Sequence, residues 1–183
     1  MNSRRLRGGR VLLTIGLACA AGPTGCDDEP GPRDAAQQPV DLQPGANVYL
    51  VVSTTEAAPG EEIRIEARVS VGGAEMTPTA FVARLRYDPG RLVLIESVPL
   101  DDKVVRAANL AAGPGLARFA GAAAAGIGSE TLFGVRARVA RPGYAAGLAV
   151  ELDELDVLEG GVRDVAAQTH VSARVYVEPR IVR

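Results

Sequence analysis

Residues 61–71 read E-E-I-R-I-E-A-R-V-S-V. Ile63, Ile65, Ala67, Val69 and Val71 alternate with Glu62, Arg64, Glu66, Arg68 and Ser70. Successive side chains of a strand point to opposite faces, so a period of two describes a strand with one dry and one wet face. The same period recurs on both sides of this stretch. Val48, Leu50 and Val52 alternate with Tyr49, Val51 and Ser53. Phe81, Ala83, Leu85 and Tyr87 alternate with Val82, Arg84 and Arg86. Phe133, Val135, Ala137 and Val139 stand opposite Arg136 and Arg138; Leu148, Val150 and Leu152 follow, then Val171, Ala173, Val175 and Val177.

Turn signals separate the runs: Pro59-Gly60, Gly72-Gly73, Asp88-Pro89-Gly90, Gly113-Pro114-Gly115, Pro142-Gly143 and Gly160-Gly161. Short strands broken at this spacing predict an all-β fold, an antiparallel sandwich of about nine strands with Greek-key connections. The alanine-rich segments 104–112 and 122–125 have helical propensity, but within this spacing they read as strand ends or loops.

Composition narrows the function. With 183 residues and 47% hydrophobic content, the chain can bury a core without disulfides. Basic residues number 20 and acidic ones 22, which argues against a nucleic-acid partner. Two cysteines, one histidine and no tryptophan exclude a thiolate zinc cluster, a disulfide scaffold and most histidine-based active sites. Lys103 is the only lysine, and alanine, glycine and proline are abundant as well. That bias follows from GC-rich coding, so an extra arginine carries little weight by itself.

The N-terminus reads as an export signal. Arg4, Arg5, Arg7 and Arg10 precede the short apolar run V-L-L-T-I-G-L-A of residues 11–18, too short to span a membrane. Arg4-Arg5 lacks the bulky apolar residue that a twin-arginine signal places after the pair. Ala18-Cys19-Ala20 fits ordinary signal cleavage, whereas Gly16-Leu17-Ala18-Cys19 and Pro23-Thr24-Gly25-Cys26 each resemble a lipobox. Both cysteines of the chain lie here, and Cys26 is followed at once by Asp27, Asp28, Glu29 and Pro30. The expected product is therefore an exported, membrane-anchored lipoprotein, periplasmic or at the cell surface, with Cys26 as lipid acceptor and Cys19 as the alternative. Residues 1–26 form the leader. Residues 27–46, acidic and proline-rich, read as an extended tether, and 47–183 as the folded domain.

Four stretches together resemble a cohesin domain, of the carbohydrate-binding-type β-sandwich superfamily. They are P-G-E-E-I-R-I-E-A-R-V at 59–69, F-V-A-R-L-R-Y-D-P-G-R-L-V-L at 81–94, G-I-G-S-E-T-L-F-G-V-R-A-R-V at 126–139 and G-Y-A-A-G-L-A-V-E-L-D-E-L-D-V at 143–157. Tyr87-Asp88-Pro89 with Leu92 is the most distinctive piece, and the resemblance runs from about Val48 to Val177. It implies a jelly-roll and a non-catalytic module that attaches a protein partner at the envelope. It also implies a flat outer face on a sheet ordered 8-3-6-5. Here strand 3 is read at 81–87 and strand 6 at 116–122, which turns Val82, Arg84, Arg86, Leu116 and Arg118 outward as the partner-binding face. Three arginines among aliphatic groups suit an acidic partner.

The competing chemistries rest on little. Glu151, Asp153, Glu154 and Asp156 could hold calcium, the one cofactor in view. Strand alternation, however, would set the first two on one face and the last two on the other. His170 lacks the partners of a catalytic or metal-binding histidine and reads as a strand-edge residue. Ser129-Glu130 lacks the second glycine of a nucleophile elbow. A polysaccharide-binding module is the alternative function, with Tyr49, Tyr144 and Tyr176 as candidate stacking rings. A glycoside hydrolase or its accessory is the remote one, since nothing selects a carboxylate pair.

Overall fold

The structure is a computed structural model that describes residues 40–72, 76–100 and 103–178. Among these residues ten strands form two five-stranded sheets. They are β1 (Ala46–Val52), β2 (Glu62–Val71), β3 (Thr77–Arg86), β4 (Leu92–Ser97), β5 (Val105–Gly113), β6 (Leu116–Ala122), β7 (Thr131–Val139), β8 (Ala149–Leu158), β9 (Val162–Asp164) and β10 (His170–Val177). One sheet is ordered β10-β1-β2-β7-β4 and the other β5-β6-β3-β8-β9. Every pairing is antiparallel except β1 with β10, which is parallel.

The expected alternation holds through most strands. Ile63, Ile65, Ala67 and Val69 of β2, Phe81, Ala83 and Leu85 of β3, and Phe133, Val135, Ala137 and Val139 of β7 all enter one core. Phe119 of β6 stacks on Phe133 across the sandwich with centroids 3.9 Å apart. Gly121 also faces inward, and a Cβ there would overlap the Phe81 ring. The glycine thus makes room for the larger side chain.

Three readings need correction. Residues 105–113 form a complete strand, the edge strand β5, rather than strand ends or loops. The sheet pairing with β6 decides this over alanine's helical propensity. β1 is buried on both faces, because Tyr49, Val51 and Tyr176 make a second small cluster on the outside, packed against Val40. Glu66, expected in water, is only 5% exposed. It is held by Arg64 at 2.5 Å and by Arg68 at 2.6 Å, which lie two residues to either side on the same strand face.

Candidate partner-binding face

The outer face of the β5-β6-β3-β8-β9 sheet follows from its register. Residues paired across an antiparallel ladder share a face. Val105, Ala122, Ala80 and Asp156 therefore form one row across β5, β6, β3 and β8. Ala107, Ala120, Val82 and Glu154 form the next, then Asn109, Arg118, Arg84 and Glu151. Leu116, Arg86 and Ala149 follow on β6, β3 and β8. The five residues expected on this face, Val82, Arg84, Arg86, Leu116 and Arg118, are thus brought together on it.

β8 departs from strict alternation. Val82 pairs with Glu154 and Ala83 with Leu152, so Asp153 has no partner opposite it. This bulge resets the phase of the strand. Leu155 and Val157 then return to the core, each fully buried, as Val150 does before the bulge. All four carboxylates, Glu151, Asp153, Glu154 and Asp156, consequently stand on the outer face. The expected division of these acids between two faces is overturned, because alternation was carried through the extra residue.

The arginines are not free cations. Arg84 binds Asp153 at 2.5 Å and Glu151 at 3.3 Å. Arg86 donates from Nε to Glu151, and this hydrogen bond raises its pKa further above the ordinary arginine value. Arg118 lies opposite Arg84 and reaches Asp153 at 3.7 Å. The bulged Asp153 therefore sits between two like charges that the register forces together. The basis for an acidic partner falls with this network, since Glu151 and Asp153 already answer all three arginines. Among the described residues Glu154 and Asp156 carry no ion pair or side-chain hydrogen bond.

The far end of the face is apolar. Val105 is 78% exposed, Val162 68% and Leu158 45%. With Thr79, Ala80, Ala122, Ala123 and Ala124 they line a shallow hollow of about 350 Å³. Sequence reading missed Val105, Leu158 and Val162. Val105 lay in a segment not read as a strand, and Leu158 lies beyond the point to which β8 was followed. Asp164, at the end of β9, accepts backbone N–H groups from Ala166 and Leu155, and these hold its pKa below the usual carboxylate value.

The three candidate stacking tyrosines are buried. Tyr49 and Tyr176 pack edge to face with centroids 5.7 Å apart. Tyr144 is fully enclosed, donates to the Thr54 carbonyl at 2.8 Å and accepts the Ala57 N–H at 3.4 Å. Tyr144 fills the core between the sheets, and Tyr49 and Tyr176 pack on each other and on Val40 outside β1, so none of the three presents an open ring. His170 is exposed at the start of the edge strand β10, and Ser129 donates to the Thr131 carbonyl. No group of three or more histidine, cysteine or acidic side chains among the described residues is disposed to hold a metal ion. Cys19, Cys26 and the tether to residue 39 lie outside the described residues.

No protein-family model and no curated protein matches the chain. Solved structures do. A cohesin module from a Clostridium perfringens family 33 glycoside hydrolase superposes with a TM-score of 0.54 at 14% identity, covering 74% of this chain and 100% of its own. The sixth cohesin of Acetivibrio cellulolyticus scaffoldin B, solved in complex with a Cel5 dockerin mutant, gives 0.53 at 12% identity over 72% and 99%. A non-cellulosomal cohesin from Archaeoglobus fulgidus gives 0.50 at 14% over 73% and 92%. The chain has a cohesin-like fold. Within it the strand order 8-3-6-5 expected from the resemblance stands in this chain's own numbering, with β9 added beyond β8.

Proposed function

We propose that the chain is a non-catalytic module that docks a protein partner on the outer face of the β5-β6-β3-β8-β9 sheet. One observation carries this reading. Three of the five large hydrophobic residues exposed among those described, Val105, Leu158 and Val162, gather at one end of that face. Large apolar side chains clustered in this way mark interaction surfaces more often than scattered ones do. The opposite outer face offers no such cluster around β1, where Tyr49, Val51 and Tyr176 are covered from within the chain. The cohesin-like fold supports the reading, since the Acetivibrio neighbour was solved with a dockerin. The polysaccharide alternative loses the three rings it rested on.

The compartment belongs to the same proposal. The leader carries the chain to the envelope, and Cys26, or Cys19 in its place, accepts the lipid anchor. Metabolic labelling with a fatty acid is expected to mark the parent protein and to fail in Cys26→Ala. Label retained in each of Cys26→Ala and Cys19→Ala rejects these acceptors, and a parent protein that takes up no label rejects the anchor.

The docking face is tested with the full chain immobilised and exposed to envelope extract. A partner captured by the parent should be lost from Leu158→Asp with Val162→Asp, and kept by Arg136→Ser with Arg138→Ser on the other sheet. Capture undiminished by the first pair places the site elsewhere.

A further inference from the structure

We propose that the apolar end of this face is the contact surface, and that it receives a protein surface in which lysine or arginine stands beside aliphatic side chains. The proposal rests on the docking reading above and names the chemistry of the partner.

Four observations lead to it. Val105, Leu158 and Val162 come from three different strands, β5, β8 and β9, and Leu158 pairs directly with Val162. Between Val105 and Leu158 the outward positions are small, Ala122 and Ala80, so the face dips to the hollow of about 350 Å³. Five strands at about 4.8 Å spacing make this floor about 19 Å across, room for one helix or hairpin of a partner. Glu154 and Asp156 stand in the rows of Val82 and Ala80, beside the hollow, and no described cation answers them.

Charge selects among occupants. A carboxylate covered by a partner loses its water, and that is tolerated only where the partner supplies a cation. An acidic partner or an anionic lipid surface would add like charge to a face that already holds five carboxylates, Asp164 opposite Asp156 among them, against three arginines. A second copy of the chain, meeting this patch with its own, would bring the same two unanswered carboxylates from both sides. The nearest arginines, Arg84, Arg86 and Arg118, are directed to Glu151 and Asp153 instead. The network forms a rim of three arginines around two carboxylates, both already engaged, and the unpaired acids beside the hollow define the cationic requirement. Charge complementarity of this kind chiefly sets which partner is admitted.

The test uses two synthetic amphipathic helical peptides with the same leucine and alanine stripe, flanked by lysine in one and by glutamate in the other. Each is titrated into the full isotope-labelled chain while backbone amide shifts are followed. The lysine peptide should shift amides around Val105, Ala122, Asp156 and Val162, and the glutamate peptide should bind at least tenfold more weakly. Glu154→Lys with Asp156→Lys should reverse that preference. These positions are on the surface, so the variant should keep the parent's amide dispersion. Equal binding of the two peptides, preference for glutamate, or no shift with either overturns the proposal. Shifts gathered at Arg84, Arg86 and Arg118 would leave the docking face standing and reject only this chemistry. Shifts on another surface would reject both.

Discussion

Tyr144 follows Gly143, whose φ of 74° lies in the left-handed region, and the turn sends the phenol into the sandwich. Its hydroxyl then ties the 3-10 turn to the loop after β1 through Thr54 and Ala57, 90 and 87 residues away. Burial raises the tyrosine pKa, and the nearby Glu61 and Glu56 add to that rise. The hydroxyl therefore stays neutral through the working pH range and acts as a donor. Tyr144→Phe keeps the ring and removes only the oxygen, which leaves a buried N–H and a carbonyl unpaired. The expected cost is about 1–2 kcal/mol, read as a lower denaturant midpoint with an unchanged slope. An unchanged midpoint would mean that water replaces the hydroxyl. The sequence could not show this role. G-Y-A-A-G looks like a surface turn, and only the fold reveals that its ring is enclosed in the core.

β8 is the element in which local pattern and structure part. The apolar positions Val150 and Leu152 obey period two, and Leu155 and Val157 obey it again, but the two sets are out of phase by one residue. The sequence A-V-E-L-D-E-L-D-V holds that information in the doubled D-E between Leu152 and Leu155. Reading it as unbroken alternation sent two acids inward. Deleting Asp153 removes the extra residue and joins Val150, Leu152, Leu155 and Val157 into one unbroken inward alternation, with Glu154 and Asp156 still outward, while Arg84 and Arg118 lose their shared carboxylate. The folded state is expected to survive, at a cost somewhat above that of the lost ion pairs because the ladder to β3 must close without its bulge. Asp153→Asn keeps the bulge and weakens only part-exposed ion pairs, at about 0.5–1 kcal/mol. Urea unfolding of the two variants separates these effects. Similar midpoints for both would show that the bulge contributes no stability beyond its ion pairs. By contrast, β2, β3, β6 and β7 were legible because each pairs on both sides and each has one face in the core.

At the scale of the whole molecule, the class of fold was readable because the alternation of many strands repeats one message. The closure was not. Nothing local announces that the last strand lies parallel to the first, since that pairing joins residues more than 120 positions apart. Yet β1 depends on it. All seven of its residues are buried, its inner face by the common core and its outer face partly by Tyr176. β10 also covers core edges with Val171, Val175 and Val177, and the Glu178 N–H reaches the Val52 carbonyl at 2.8 Å. A chain ending at Gln168 would leave β1 as a long, flat, apolar edge, which solvates poorly and recruits other strands. It would also pay the entropy of ordering nearly the whole sandwich without its final contacts. Such a truncation is expected to lose the cooperative urea transition and to associate, seen by far-ultraviolet circular dichroism and light scattering. Tyr176→Ala, a milder cut at the same seam, should remain folded and lose about 2–4 kcal/mol. A truncated chain that stays monomeric and unfolds at the parent's midpoint would show that β1 is secured by β2 alone.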